Sequence, residues 1–187
     1  SAEEIIKTLE ELVEKLKRDA EETLRKIEEL VRRLEEEARK SSEKIRKLVE
    51  DLAKEARERT RSKEVEKIVE EAKRRLDEII KRNNEVVKRV LRELEELIER
   101  NRKVVEDALR ELKKLIEKLE DLVRRNTGDE VLTEVLKEIT ELVKRLKELS
   151  DRTLEEVRKL VERVKRESKR TLEEAEEVVR ELKERLR

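Results

Sequence analysis

Three long, nearly straight α-helices in an up-down-up antiparallel bundle are the fold class that the sequence predicts, and three observations predict it. The 52 Lys+Arg and 52 Asp+Glu residues make up 56% of 187 residues and cancel to zero net charge. The apolar residues, 34% of the chain, recur with a constant helical phase. That phase breaks at only two places, "RTRSKE" (59–64) and "RNTGDE" (125–130). High charge often marks disorder, but here the signs alternate and the apolar positions are regular. A chain made chiefly of Ala, Glu, Lys, Leu and Arg with helical periodicity reads as long helices. There are no aromatics and no Met, so Leu, Ile and Val must supply nearly all of the core. The length suits a single domain over residues 1–187.

The first helix is expected over residues 2–59. Its apolar set Leu9, Leu12, Val13, Leu16 and Ala20 returns as Ile27, Leu30, Val31, Leu34 and Ala38, then as Ile45, Leu48, Val49, Leu52 and Ala56. The repeat is 18 residues, five turns of an undistorted 3.6-residue helix. A heptad would impose a left-handed supercoil and an 11-residue repeat a right-handed one, whereas this period asks for neither. The stripe is about 120° wide, the width of a core-facing helix in a bundle.

The second helix is expected over 63–125, where Ile68, Val69, Leu76, Ile79 and Ile80 recur as Val86, Val87, Leu94, Leu97 and Ile98. The third, over 129–186, carries Leu136, Ile139, Leu142, Val143 and Leu146, which recur as Leu154, Val157, Leu160, Val161 and Val164. Thr60 or Ser62 is the expected cap at the first break. Asn126, the only glycine (Gly128) and Asp129 as N-cap mark the second. Each helix would be on the order of 90 Å long at 1.5 Å per residue. Short connections make consecutive helices antiparallel neighbours.

A rival reading cuts the chain into about eight shorter helices. "ARKSSEKI", "KRNNEVV", "LSDRTLEE" and "ESKRTLEE" all resemble helix starts, and the last two contain Thr-x-x-Glu capping boxes. Against it, the 18-residue phase passes through all four without slipping, and none contains Gly or Pro. Continuous helices are therefore the expectation.

Continuity places polar residues on the apolar stripes. In an antiparallel pair, residues at one height have a constant sum of residue numbers, and the two loop centres set that sum. By this rule Thr23, Asn101 and Thr153 share one layer with Ser150 nearby. Ser41, Ser42, Asn83 and Thr171 share another, with Ser168 nearby. An Asn amide both donates and accepts, as does a hydroxyl, so such groups can satisfy one another. For Ser42, Asn84 and Ser168, near the stripe edge, a bond back to the helix's own i−4 carbonyl is as good a reading. A polar layer penalises every wrong register, which interchangeable Leu and Val do not.

Straight 18-residue phasing, a Glu/Lys/Arg surface, minimal loops and matched Asn/Ser/Thr core positions resemble de novo designed helical bundles. More narrowly, they resemble parametric, nearly untwisted three-helix bundles with designed hydrogen-bond networks. The resemblance covers the whole chain and rests on pattern. It implies a thermostable scaffold of specified oligomeric state with no evolved biochemical function.

Function classes narrow from composition. With no His and no Cys, the commonest general base and metal ligands are missing, and no Ser has an evident base. The chain is not expected to be an enzyme, and neither cofactor nor metal is expected; the carboxylates of "LEEEARK" (34–40) read as a solvated face. Nucleic-acid binding wants a basic stripe or stacking aromatics, and neither is present. No apolar run approaches the ~20 residues of a membrane span, and "SAEEIIKTLEEL" does not read as a signal peptide, so a soluble protein is expected. The leading Ser1 reads as an end trimmed for recombinant expression. The expected state is a monomer without partners. The alternative is an interaction module, one chain of a homo- or hetero-oligomeric assembly, to which Leu91 and Leu109 point by widening the second stripe.

Overall fold

The computed structural model describes residues 2–59 and 62–186, and among these it is built of three helices and no strand. These are α1 (Ala2–Arg59), α2 (Lys63–Arg124) and α3 (Asp129–Arg185), of 58, 62 and 57 residues. The helices pack against one another as an all-α three-helix bundle. None breaks at the four candidate starts, so the eight-helix reading is excluded. The Thr-x-x-Glu signatures at Thr153 and Thr171 do not begin helices. Both threonines are buried in mid-helix, and their hydroxyls are used in tertiary contacts.

The helix ends follow local chemistry. Acidic Glu3 and Glu4 open α1 and basic Arg57 and Arg59 close it, complementing the helix dipole. At the start of α2 the Val65 N–H donates to Ser62 Oγ at 3.2 Å, the N-cap bond expected of a serine. Thr60, the other candidate cap, lies outside the described residues.

The second connection differs from expectation in one respect. Asn126 adopts the left-handed conformation (φ 54°), while Gly128 has no positive φ. The Thr127 N–H donates to the Leu122 carbonyl (3.1 Å) and the Asn126 N–H to the Val123 carbonyl (3.2 Å). This pair of bonds is a Schellman cap with asparagine in the place usual for glycine. Asp129 is not the N-cap. It is the first helical residue, and the Gly128 carbonyl before it accepts from the Val131 N–H at 3.2 Å. A carboxylate in the first turn still suits the dipole there. Asn126→Val should therefore lose about 1–2 kcal/mol in urea unfolding, because a β-branched residue resists the left-handed region. Asn126→Gly should lose nothing.

The chain packs as two compact units. One comprises Ser1–Glu29 and Leu94–Arg158, the other Leu30–Glu93 and Lys159–Arg187. In the first, α2 contributes Val105, Ala108, Leu112, Ile116 and Leu119, and α3 contributes Val135, Ile139, Leu142 and Leu146. Ile6, Leu9, Val13, Leu16 and Ala20 of α1 pack against this core but stay half-buried. In the second unit all three helices reach the centre: Ile45 and Val49, then Ala72, Leu76, Ile79 and Ile80, then Ala175, Val178 and Leu182. Ion pairs Arg185–Glu71 (3.2 Å), Arg75–Glu181 (2.6 Å) and Arg82–Glu174 (3.5 Å) run in opposite residue order on α2 and α3, as antiparallel packing requires. All are solvent-exposed, and such pairs contribute little stability.

Not every stripe residue is covered. Leu30 and Leu48 remain 38% exposed and Val104 46% exposed. On a 100° per residue projection they sit at stripe edges, and packing two neighbours against a helix buries the middle of its stripe first.

Candidate functional site

Among the described residues the buried polar side chains are Asn83, Thr153 and Thr171, at 4%, 5% and 8% exposure. In the first unit, the Thr153 hydroxyl donates to Asn101 Oδ1 at 3.2 Å. In the second, Thr171 Oγ1 lies 3.2 Å from Asn83 Oδ1 and 2.7 Å from the carbonyl of Glu167, one turn earlier on its own helix. A hydroxyl has one proton for these two acceptors. With the Asn83 amide turned by 180°, its N–H donates into Thr171 Oγ1 and the hydroxyl proton goes to Glu167, so both contacts are satisfied at once. Among the described residues no buried side-chain N or O lacks a partner.

The structure brings together some members of each expected layer and not others. Asn101 meets Thr153, and Asn83 meets Thr171. Thr23, Ser41, Ser150 and Ser168 are half-buried and make no side-chain hydrogen bond among the described residues. From α1 a single bond arrives: Ser42 Oγ donates to Asn84 Oδ1 at 3.5 Å. Consecutive helical residues point 100° apart. Ser42 and Asn84 therefore occupy the α1–α2 seam, while Asn83 turns to α3. The polar groups form pairs on seams instead of three-helix layers.

A cleft of about 230 Å³ opens above the Asn83–Thr171 pair. Its rim carries three arginines (Arg82, Arg89, Arg170) and three glutamates (Glu85, Glu167, Glu174), so the charges balance. Arg82 and Arg170 both pair with Glu174, at 3.5 and 3.4 Å. The Thr171 hydroxyl bonds a carbonyl and an amide, neither of which can act as a base to activate it as a nucleophile. Among the described residues no group of three or more His, Cys, Asp or Glu is placed to hold a metal ion, and no helix is long and apolar enough to cross a membrane.

Four groups have displaced protonation equilibria. Hydrogen bonding and charge from Arg39 hold the Glu36 carboxyl below its ordinary range, and Glu36 with Glu43 raises Arg39. The Arg75 guanidinium is raised first by its bond to Glu181. Glu120 shifts the other way. A proton shared with Glu10 raises it most, then desolvation and the Glu10 charge. Neither Glu10 nor Glu120 was legible as special: Glu10 is exposed, and Glu120 sits half-buried just beyond the edge of the α2 stripe. An acid raised in the folded state binds its proton more tightly there. Its contribution is therefore present at low pH and lost as pH rises through the folded value. The melting-temperature difference between the unsubstituted protein and Glu120→Gln should therefore be largest at acid pH and shrink as pH rises through the raised folded value. Parallel pH profiles for the two would refute the shared proton.

Comparison with protein families, with characterised proteins and with solved structures returns no match.

Proposed function

We propose that this chain is a de novo designed structural scaffold whose buried polar pairs select one helix register. The observation that carries this reading is the recurrence of one Asn–Thr pair: Asn83–Thr171 in one unit and Asn101–Thr153 in the other. The positions within each helix differ by 18 residues, the apolar period itself.

That coincidence has an energetic consequence. A purely apolar 18-residue pattern returns to itself when α3 slides by one period along α2, so apolar matching opposes the slip only through lost overlap at the ends and unwinding beside the short connection. Such a slip would keep one Asn–Thr pair and place Asn101 against Val135 and Thr171 against Val65. A buried polar group without a partner costs about 1–3 kcal/mol, so the slip loses its degeneracy. Register selection of this kind is the best-attested use of a buried polar group.

The test replaces both pairs together, Asn83→Leu, Asn101→Leu, Thr153→Val and Thr171→Val. Helicity by circular dichroism should persist while amide NMR spectra become multiple or broadened. A single sharp set of resonances with unchanged α2–α3 contacts would leave the pairs without a register role.

A further inference from the structure

We propose that the α1–α2 groove of the unit formed by Ser1–Glu29 and Leu94–Arg158 is a docking site for a basic amphipathic helix of a partner protein. The groove encloses about 730 Å³, within the ~300–1,000 Å³ range of binding clefts, and Val13, Leu109 and Ile116 line it. Leu109 belongs to the row, with Leu91, that widens the apolar stripe of α2 toward α1. Apolar surface remains available here because α1 is lightly seated. Among the described residues of its segment in this unit only Ile27 is fully buried, while Val13 and Leu16 are partly buried.

The same seam in the other unit serves as an internal comparison. It is almost as large, about 700 Å³, but among the described residues Ala53 is its one apolar lining residue, and three carboxylates stand beside three cations. The first groove carries five carboxylates against three cations, and one of those cations, Arg110, is already bonded to Asp107. Glu10 and Glu120 both line this groove, one from each helix, so two carboxylates face each other across it. An apolar floor between acidic rims suits a helix with Leu or Ile along one face and Lys or Arg beside it. Inserting a cation between Glu10 and Glu120 would relieve their repulsion. A second copy of this chain is a poorer occupant, because a two-fold contact would set one acidic groove against another.

The probe is a labelled helical peptide of about 18 residues, five turns, with Leu at i, i+3, i+4 and i+7 spacing and Lys on the flanks. Its counterpart carries Glu in place of Lys. Fluorescence anisotropy with the full chain should show saturable one-to-one binding of the Lys peptide and none of the Glu peptide. Glu10→Lys/Glu120→Lys should weaken binding about tenfold or more, as should Leu109→Glu. Glu58→Lys, in the balanced seam, should leave Kd within about twofold. Circular dichroism confirms that each variant keeps its helicity, and the paired glutamate variant alters one exposed and one half-buried carboxylate. Absence of saturable binding, equal binding of the Glu peptide, or equal loss with Glu58→Lys would overturn the proposal. So would a two-chain mass by light scattering that Leu109→Glu abolishes, since the occupant would then be a second copy.

Discussion

Leu112→Ala is expected to cost about 2–5 kcal/mol, the range for deleting a fully buried leucine side chain. Leu112 has 0% exposure, within the cluster of Val105, Ala108, Ile116 and Leu119 on α2 and Val135 and Ile139 on α3. The upper part of that range is expected. The cavity cost depends on how far neighbours collapse, and there is no Met in the chain to flow into the gap. β-branched Val and Ile are stiff at χ1 and adapt least. Leu16→Ala, on the lightly seated part of α1, should cost less, about 1–2 kcal/mol, because that side chain is only partly buried. Urea unfolding of the two variants gives the comparison directly. Hydrogen exchange adds a spatial check, since α1 amides before Ile27 should exchange sooner than those around Leu112. Equal losses and equal protection would mean that α1 is held as tightly as α2, and the groove beside Val13 would lose its physical basis.

The helices were legible because their signal is long and redundant. An 18-residue phase repeated three times outweighs any local start signal, and only "RTRSKE" and "RNTGDE" interrupt it. The capping boxes at Thr153 and Thr171 misdirect for a physical reason. A Thr followed three residues later by Glu is one pattern with two uses, and here tertiary packing took the hydroxyls. The α2–α3 polar pairs could be read because antiparallel register fixes which residues share a height. The α1 partners could not be read the same way. Height does not say which seam a side chain faces, and a one-residue step from Ser41 to Ser42 rotates the hydroxyl by 100°. Conformation at the second turn was also hidden. Asn126 and Gly128 both tolerate φ > 0, and the choice fell to the residue whose position completes the bonds to Leu122 and Val123. The Glu10–Glu120 approach lay beyond any periodicity argument, since it depends on how closely the two helices converge.

Thr171→Val should destabilise by about 1–3 kcal/mol although it removes only a hydroxyl. It strands the amide of Asn83, which is 4% exposed. Thr171→Ser should restore most of that loss by returning the hydroxyl without the methyl. Asn83→Leu combined with Thr171→Val should cost far less than the two single changes added together, because neither leaves a polar group behind. The coupling energy of this cycle should lie at about 0.5–3 kcal/mol. Asn101 with Thr153 should couple more weakly, since Asn101 is only half-buried and water can replace the lost hydroxyl. Asn101 with Thr171 makes the control. Eighteen residues of helix separate Thr171 from the true partner Thr153, about 27 Å at the helical rise, so these two changes should add to within about 0.5 kcal/mol. If all three cycles show the same coupling, the effect belongs to general softening of the bundle and not to paired contacts. If none couples, the hydroxyl proton of Thr171 spends its time on the Glu167 carbonyl alone, and the register of α2 against α3 must be held by the two short connections.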